Sequence, residues 1–228
     1  MSGINTIIFD LDGTLLNTLD DLADGVNYAL RKFGYPERSI EEVKSFVGNG
    51  VRNLIKLSIP GGLDNPQFEN CLEAFREYYS RNMNNRTRPY EGIMELLEKL
   101  AENNYKLAIV SNKFDRAVKE LAKEFFGEYI SVAIGESGEM RKKPEPDCVF
   151  EALRVLDAET GKTVCVGDSE VDVRTARNAG IPCIGVTWGF RSRELLTNEG
   201  ADHIIDSPRE LLGLLEAALT KNQRLTEY

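Results

Sequence analysis

No stretch of the 228-residue sequence is apolar over the ~20 residues that a membrane-spanning helix requires, so a bilayer-embedded protein is not expected. Met1 to Ile8 is too short and too uncharged to read as a secretion signal. Positive charge is also scarce. Lys and Arg number 28 against 37 Asp and Glu, a formal net charge of -9. General binding to nucleic acid or to an anionic membrane needs a basic face, and neither is expected. Cysteine is sparse: Cys71, Cys148, Cys165 and Cys183 show no CxxC spacing, and two of them sit inside apolar runs. Buried free thiols fit better than disulfides or a zinc site, which points to a reducing cytoplasm. There is no internal repeat and no low-complexity tract.

What is present is ordinary in amount and ordered in sequence. Hydrophobic residues make up 42% and charged residues 29%, the balance of a globular protein able to bury a proper core. Short β-branched runs at 6–10, 106–111, 131–135, 163–168, 182–187 and 203–206 read as strands. They are almost continuously apolar, as strands of a parallel sheet covered on both faces must be. Helical spacing fills the intervals at 92–104, 114–127, 146–157 and 170–180, several closing on Gly or Asn. This alternation implies right-handed βαβ units and an α/β, doubly wound parallel sheet.

One interval breaks the rhythm. From Leu16 to Arg88 no convincing strand is found, only helical segments such as "LDDLADGVNYALRKFG" and "NPQFENCLEAFREYYSRNM". That is too long for a crossover between neighbouring strands. The expectation is an α/β core of residues 1–15 and 89–228 carrying an all-helical cap of residues 16–88. The polar segment "NNRTRPY" forms its return linker, and the tail "KNQRLTEY" is expected to fray.

The chemistry gathers at strand ends, where open α/β sheets bind ligands. Asp10 and Asp12 end the first strand in "DLDGT", Ser111 and Asn112 end the second in "VSNK", and Asp168 ends the fourth in "GDSEVD" with Asp172 one helical turn on. Lys142 and Lys143 precede Pro144 just before that fourth strand unit. Buried carboxylates need compensation. Asp10 and Asp168 on adjacent strand ends suit a shared hard divalent cation such as Mg²⁺, which takes oxygen ligands. A carboxylate facing phosphorus acts as a nucleophile, a second one two residues on serves as acid and base, and a hydroxyl, backbone N–H groups and a lysine suit phosphoryl oxygens. Each motif alone has a plainer reading: a turn at Asp-Gly, a Ser-Asn helix cap, a solvated lysine pair, a helix cap at Asp168.

Taken together and in this order, "DLDGT", "VSN", "KKP" and "GDSEVD" resemble the four motifs of the haloacid dehalogenase superfamily of phosphohydrolases, with the insertion similar to its helical C1 cap. Within the superfamily the chain resembles the phosphoglycolate phosphatase type. The resemblance implies Asp10 as nucleophile and metal ligand. Asp12 would be the general acid/base and offer its backbone carbonyl to the metal. Ser111 and the Asn112 amide would hold the phosphoryl group, Lys143 would neutralise it, and Asp168 would complete the Mg²⁺ site. Thr14 is a supporting residue, and Asp172 would orient the lysine or a metal-bound water. Which of Lys142 and Lys143 points inward is open. The implied activity is hydrolysis of a small phosphorylated metabolite, phosphoglycolate foremost, by a monomer or weak dimer. A phosphosugar mutase, a pyrophosphatase and a non-catalytic binding module are the alternatives.

The cap carries one further signal. Gly48, Asn49 and Gly50 precede a helix on which Arg52 and Lys56 stand one turn apart. The segment is either an ordinary loop and exposed face or a substrate-specificity loop, with Arg52 on a second anionic group of the ligand. His203, the single histidine, stands away from the motif rim and reads as structural. Trp188 follows the fifth strand and either lines the cleft or packs.

Overall fold

Thr6–Phe9 is buried at every residue, which a strand achieves only where both faces of its sheet are covered. The computed structural model describes residues 3–215; the tail 221–228 lies outside the described residues. In chain order, β1 (Thr6–Phe9) leads to a two-residue β2 (Leu16–Asn17), the helices α1 (Leu19–Lys32), α2 (Ile40–Phe46), α3 (Val51–Ser58) and α4 (Phe68–Asn82), then β3 (Arg88–Pro89) and α5 (Ile93–Glu102). Strand and helix then alternate through β4 (Lys106–Phe114), α6 (Asp115–Phe126), β5 (Val132–Glu136), α7 (Asp147–Leu156), β6 (Thr163–Gly167), α8 (Glu170–Ala179), β7 (Cys183–Val186), α9 (Arg193–Glu199) and β8 (His203–Ile205). A helical stretch at 208–215 follows.

The main sheet has the order β5-β4-β1-β6-β7-β8, and every pairing in it is parallel. The α/β doubly wound architecture is therefore as expected. The chain leaves β1 towards β4 and β5 on one side and returns to β6, β7 and β8 on the other. The switch in strand order thus falls at β1, and its carboxyl end opens into the crevice where such sheets bind ligands.

Successive residues of a strand point to opposite faces. Ile7 and Phe9 join Leu107 and Ile109 in a cluster that runs on through Leu97 and Leu121 into α1, α3 and α4. Ile8, Val110 and Cys165 turn the other way, against Val149 and Val173 of α7 and α8. The four helices α1 to α4 between β2 and β3 therefore share one continuous apolar interior with the sheet. Burial on this scale, about 1.5–3 kcal/mol per large aliphatic side chain, is what seats them. All four cysteines are buried and free.

Two details differ from the sequence expectation. Strands do occur at the edges of the 16–88 interval: Leu16 pairs with Pro89 and Asn17 with Arg88, antiparallel. These positions are too short for any periodicity, and they pair because the outgoing and returning chains run side by side. Asp21 of α1 clamps this crossing. Its buried carboxylate accepts from Arg86 N at 3.0 Å, Thr87 N at 2.8 Å and Thr87 Oγ1 at 2.8 Å. The second difference is β4, which continues past residue 111 to Phe114, with a register irregularity between Val110 and Phe114.

Candidate active site

The turn after β1 is built from its own backbone. Leu15 N and Leu16 N both donate to Leu11 O, at 3.1 and 3.0 Å. Gly13 lies within it at φ +88°, and a Cβ there would come within 2.4 Å of Asp168 Oδ2. Only glycine lets this turn pass against the carboxylate at the end of β6. Trp188 secures the turn from outside, its indole N–H donating to Thr14 O at 3.0 Å.

Asp10, Asp168 and Asp172 then converge, each offering an oxygen within 4.8 Å of the others. Asp168 does not cap α8, whose N-cap is Ser169. It accepts instead from Phe190 N at 2.7 Å and from Thr14 Oγ1 at 3.3 Å. Asp172 serves two partners: Oδ2 accepts from Ser169 N and Oγ at 3.1 and 2.6 Å, and Oδ1 accepts from Lys143 at 2.6 Å. Lys143 Nζ also donates to Asp10 Oδ1 at 2.8 Å and to Val110 O at 2.9 Å. Of the two adjacent lysines, Lys143 is thus the one that points inward.

Burial dominates the electrostatics of this cluster. It pushes Asp10 up to about 7, against the opposing charge of Lys143 and with help from Asp172 and Asp12. Burial likewise pushes Asp168 well up, with the Asp172 and Asp10 carboxylates adding to it. Burial works against the Lys143 charge, yet Asp10 and Asp172 outweigh it and hold the ammonium above the ordinary lysine range. An all-oxygen donor set under mutual repulsion fits a hard divalent cation, whose charge would relieve that repulsion. The side-chain cluster contains Asp172; Asp12, expected to offer its backbone carbonyl, adds no carboxylate to it. The Asp12 carboxylate turns aside to Lys113, at 2.8 Å.

A cavity of about 40 Å³, room for roughly three waters, lies above this cluster. Asp10, Asp12, Ser111, Asn112, Lys113 and Asp168 form its floor. Its roof is mostly apolar, with Leu22, Val47, Val51 and Leu54 from the helical interval and Phe190 from the loop after β7. Ser111 and Asn112 lie within β4, so neither caps the helix that follows.

The loop 47–50 is fastened to the core by its carbonyls. Arg191 Nη2 donates to Val47 O at 2.6 Å, Asn112 Nδ2 to Gly48 O at 3.1 Å, and Lys142 Nζ to Asn49 O at 3.1 Å. Gly50 sits at φ +81°, and a Cβ there would lie 2.8 Å from Glu136 Oε2 and 3.2 Å from Asn112 O. Glycine is what allows so close a seat.

A model of the family described as haloacid dehalogenase-like hydrolase matches residues 7–186. The chain belongs to the haloacid dehalogenase-like hydrolases. The phosphoglycolate phosphatase of Pseudomonas fluorescens is 32% identical over 219 residues, covering 93% of this chain and 80% of that one. A crystal structure of a predicted phosphoglycolate phosphatase from Haemophilus somnus superimposes with a TM-score of 0.87 at 29% identity, covering 94% of this chain and 99% of that chain. A mutant CbbY of Rhodobacter sphaeroides in complex with xylulose-(1,5)bisphosphate is more distant: TM-score 0.74, 25% identity, 91% and 96% coverage. Phosphatases of this family use a divalent metal, and the acidic cluster such a metal needs is present.

In this hydrolase, Gly48 and Gly50 line the cavity, whereas Asn49 and Arg52 do not. The Arg52 guanidinium forks onto Glu69, at 3.1 and 2.6 Å, and covers the Phe68 ring at 4.6 Å. Lys56 is exposed. The face of α3 turned to the cavity carries Val51 and Leu54 instead, because the apolar side of an amphipathic helix is the one that packs. The cations that do face the cavity, Lys113 and Arg191, were missed. Lys113 was visible in "VSNK" but fell beyond the expected strand end. Arg191 follows β7 on the same rim, and a survey of every strand end would have found it. His203 opens the edge strand β8, exposed and remote from this cluster.

Proposed function

We propose that this hydrolase is a Mg²⁺-dependent phosphatase that splits a small phosphomonoester, phosphoglycolate foremost, through an aspartyl-phosphate. The observation that carries the reading is the convergence of Asp10, Asp168 and Asp172 with Lys143 at the carboxyl end of β1. Asp10 Oδ1 is held by Lys143, while Oδ2 accepts no hydrogen bond among the described residues and is the attacking atom. It forms a bond to phosphorus as the ester P–O bond breaks, and the leaving oxygen takes a proton from the Asp12 carboxyl. Asp12, now a carboxylate, removes a proton from water. That water oxygen bonds to phosphorus, the bond to Asp10 breaks, and inorganic phosphate leaves.

Ser111 and the Asn112 amide hold the phosphoryl oxygens, Lys143 balances their charge, and Thr14 and Asp172 hold Asp168 and Lys143. The residues that would bind Mg²⁺ are Asp10, Asp168 and the Asp12 carbonyl; the ion, when bound, supplies charge neutralisation at the phosphoryl group. Residues 16–88 act as the cap over a core of 1–15 and 89–228. Gly48, Asn49 and Gly50 close the site against bulk water. Phosphoglycolate is put first because the relative from Pseudomonas fluorescens is a phosphoglycolate phosphatase. No observation favours a mutase, a pyrophosphatase or a silent binding module.

The test is release of inorganic phosphate from 2-phosphoglycolate and from p-nitrophenyl phosphate, with and without Mg²⁺. Release is expected to require Mg²⁺ and to fall on the order of 10³-fold or more in Asp10→Asn, with the fold retained by circular dichroism. Undiminished turnover in that variant refutes the nucleophile assignment.

A further inference from the structure

Among the described residues, Lys113 is the most deeply buried cation that the proposed reaction leaves without a task. Its side chain is 2% exposed. Removing an ammonium from water is costly, so its partners must hold it closely. Nζ donates to Asp12 Oδ1 at 2.8 Å and to Tyr79 Oη at 2.7 Å, and it stands 4.6 Å over the Tyr79 ring. Burial opposes its charge, but Asp12 and Tyr79 together outweigh this and hold it protonated.

Tyr79 belongs to α4, within the helical interval, whereas Lys113 belongs to β4 and Asp12 to the turn after β1. The tyrosine has little freedom. It is fully buried, stacked on Phe75 at 5.2 Å and 9°, and met edge-on by Phe114 at 6.2 Å and 80°. A hydroxyl carried by the cap thus reaches the Asp12 carboxylate through a single lysine. The other Asp12 oxygen, Oδ2, accepts no hydrogen bond among the described residues.

We propose that Lys113 and Tyr79 are positioning residues for Asp12: Lys113 grips one carboxylate oxygen, and the cap-borne hydroxyl of Tyr79 fixes Lys113. Asp12 is then aligned for proton transfer only while α4 is seated on the core. This rests on the reading of Asp12 as acid and base given above. Hydrolysis of the phosphoenzyme, in which Asp12 takes a proton from water, is common to every ester, so a difference between esters falls on the first step, where the leaving oxygen takes its proton. An aryl oxygen leaves readily without one, whereas the alkyl oxygen of phosphoglycolate does not.

The experiment measures the single-turnover rate of leaving-group release by Tyr79→Phe, as glycolate from 2-phosphoglycolate and as p-nitrophenolate from p-nitrophenyl phosphate. The same substitution is then made in an Asp12→Asn background, where the single-turnover release of p-nitrophenolate is read. Tyr79→Phe removes only the hydroxyl, and a thermal midpoint checks that the fold is kept. The expected result is a loss of about tenfold in the rate of glycolate release and of under about threefold in the rate of p-nitrophenolate release. No further loss is expected once Asp12 is already Asn. Equal losses on both esters, no loss, or a full loss in the Asp12→Asn background each overturn the proposal. Lys113→Met, which keeps the aliphatic stem, must show the same preference for the aryl ester or the proposal falls. A wild-type protein that releases phosphate from neither ester overturns the function itself, and this inference with it.

Discussion

Lys143 and Arg52 each hold carboxylate oxygens at hydrogen-bond distance, yet they belong to different regimes. Lys143, on the rim of the sheet, is 5% exposed between Asp10 and Asp172. Arg52, on the outer face of α3, is 52% exposed and its partner Glu69 is 67% exposed. At the rim burial leaves little solvent to replace a lost partner, so each charge depends on the others. On the outer face water and salt ions stand ready, and such a pair contributes about 0–1 kcal/mol. A cation near a carboxylate is therefore informative about chemistry only where burial makes the pairing obligatory. Three substitutions test that contrast.

The largest effect is expected from Lys143→Met. It leaves Asp10 and Asp172 buried without their cation, and urea denaturation should register a loss of about 3–5 kcal/mol together with loss of turnover. A change below about 1 kcal/mol would erase the distinction between rim and surface. Asp21→Ala comes next, at about 2–3 kcal/mol, because it strips the acceptor from two backbone N–H groups and the Thr87 hydroxyl at the chain crossing. If the unfolding midpoint hardly moves, the crossing is held by the apolar cluster alone. The smallest effect belongs to Arg52→Ala: a stability change within about 1 kcal/mol and a kcat/KM within about twofold. A tenfold rise in KM instead would mean that Arg52 leaves Glu69 for the ligand.

Much of the core was legible in the sequence, and for a physical reason. A parallel strand buried on both faces must be written as a continuous apolar run, and a carboxylate that closes such a run stands out against it. Asp10 and Asp168 were visible on that ground, and the intervening helical interval was visible because it held no such run. The helix α3 shows the limit. Its glycine-led start was noticed, but charge drew attention to Arg52 and Lys56, whereas the apolar residues Val51 and Leu54 mark the side that faces the cavity. The short pairing of Leu16 with Pro89 had no signature, since two residues cannot display a period.

Local sequence thus determined the strands, the helices and the acidic ends of β1 and β6, because burial pattern and turn chemistry act over a few residues. Tertiary structure decided which charges meet: that Lys143 rather than Lys142 turns inward, that Asp12 faces Lys113, that a tyrosine 34 positions away along the chain completes that contact, and that Arg191 fastens the loop over the site. Coulombic and hydrogen-bond partners are chosen by distance in space and by the loss of water, and neither is written in the order of residues along the chain.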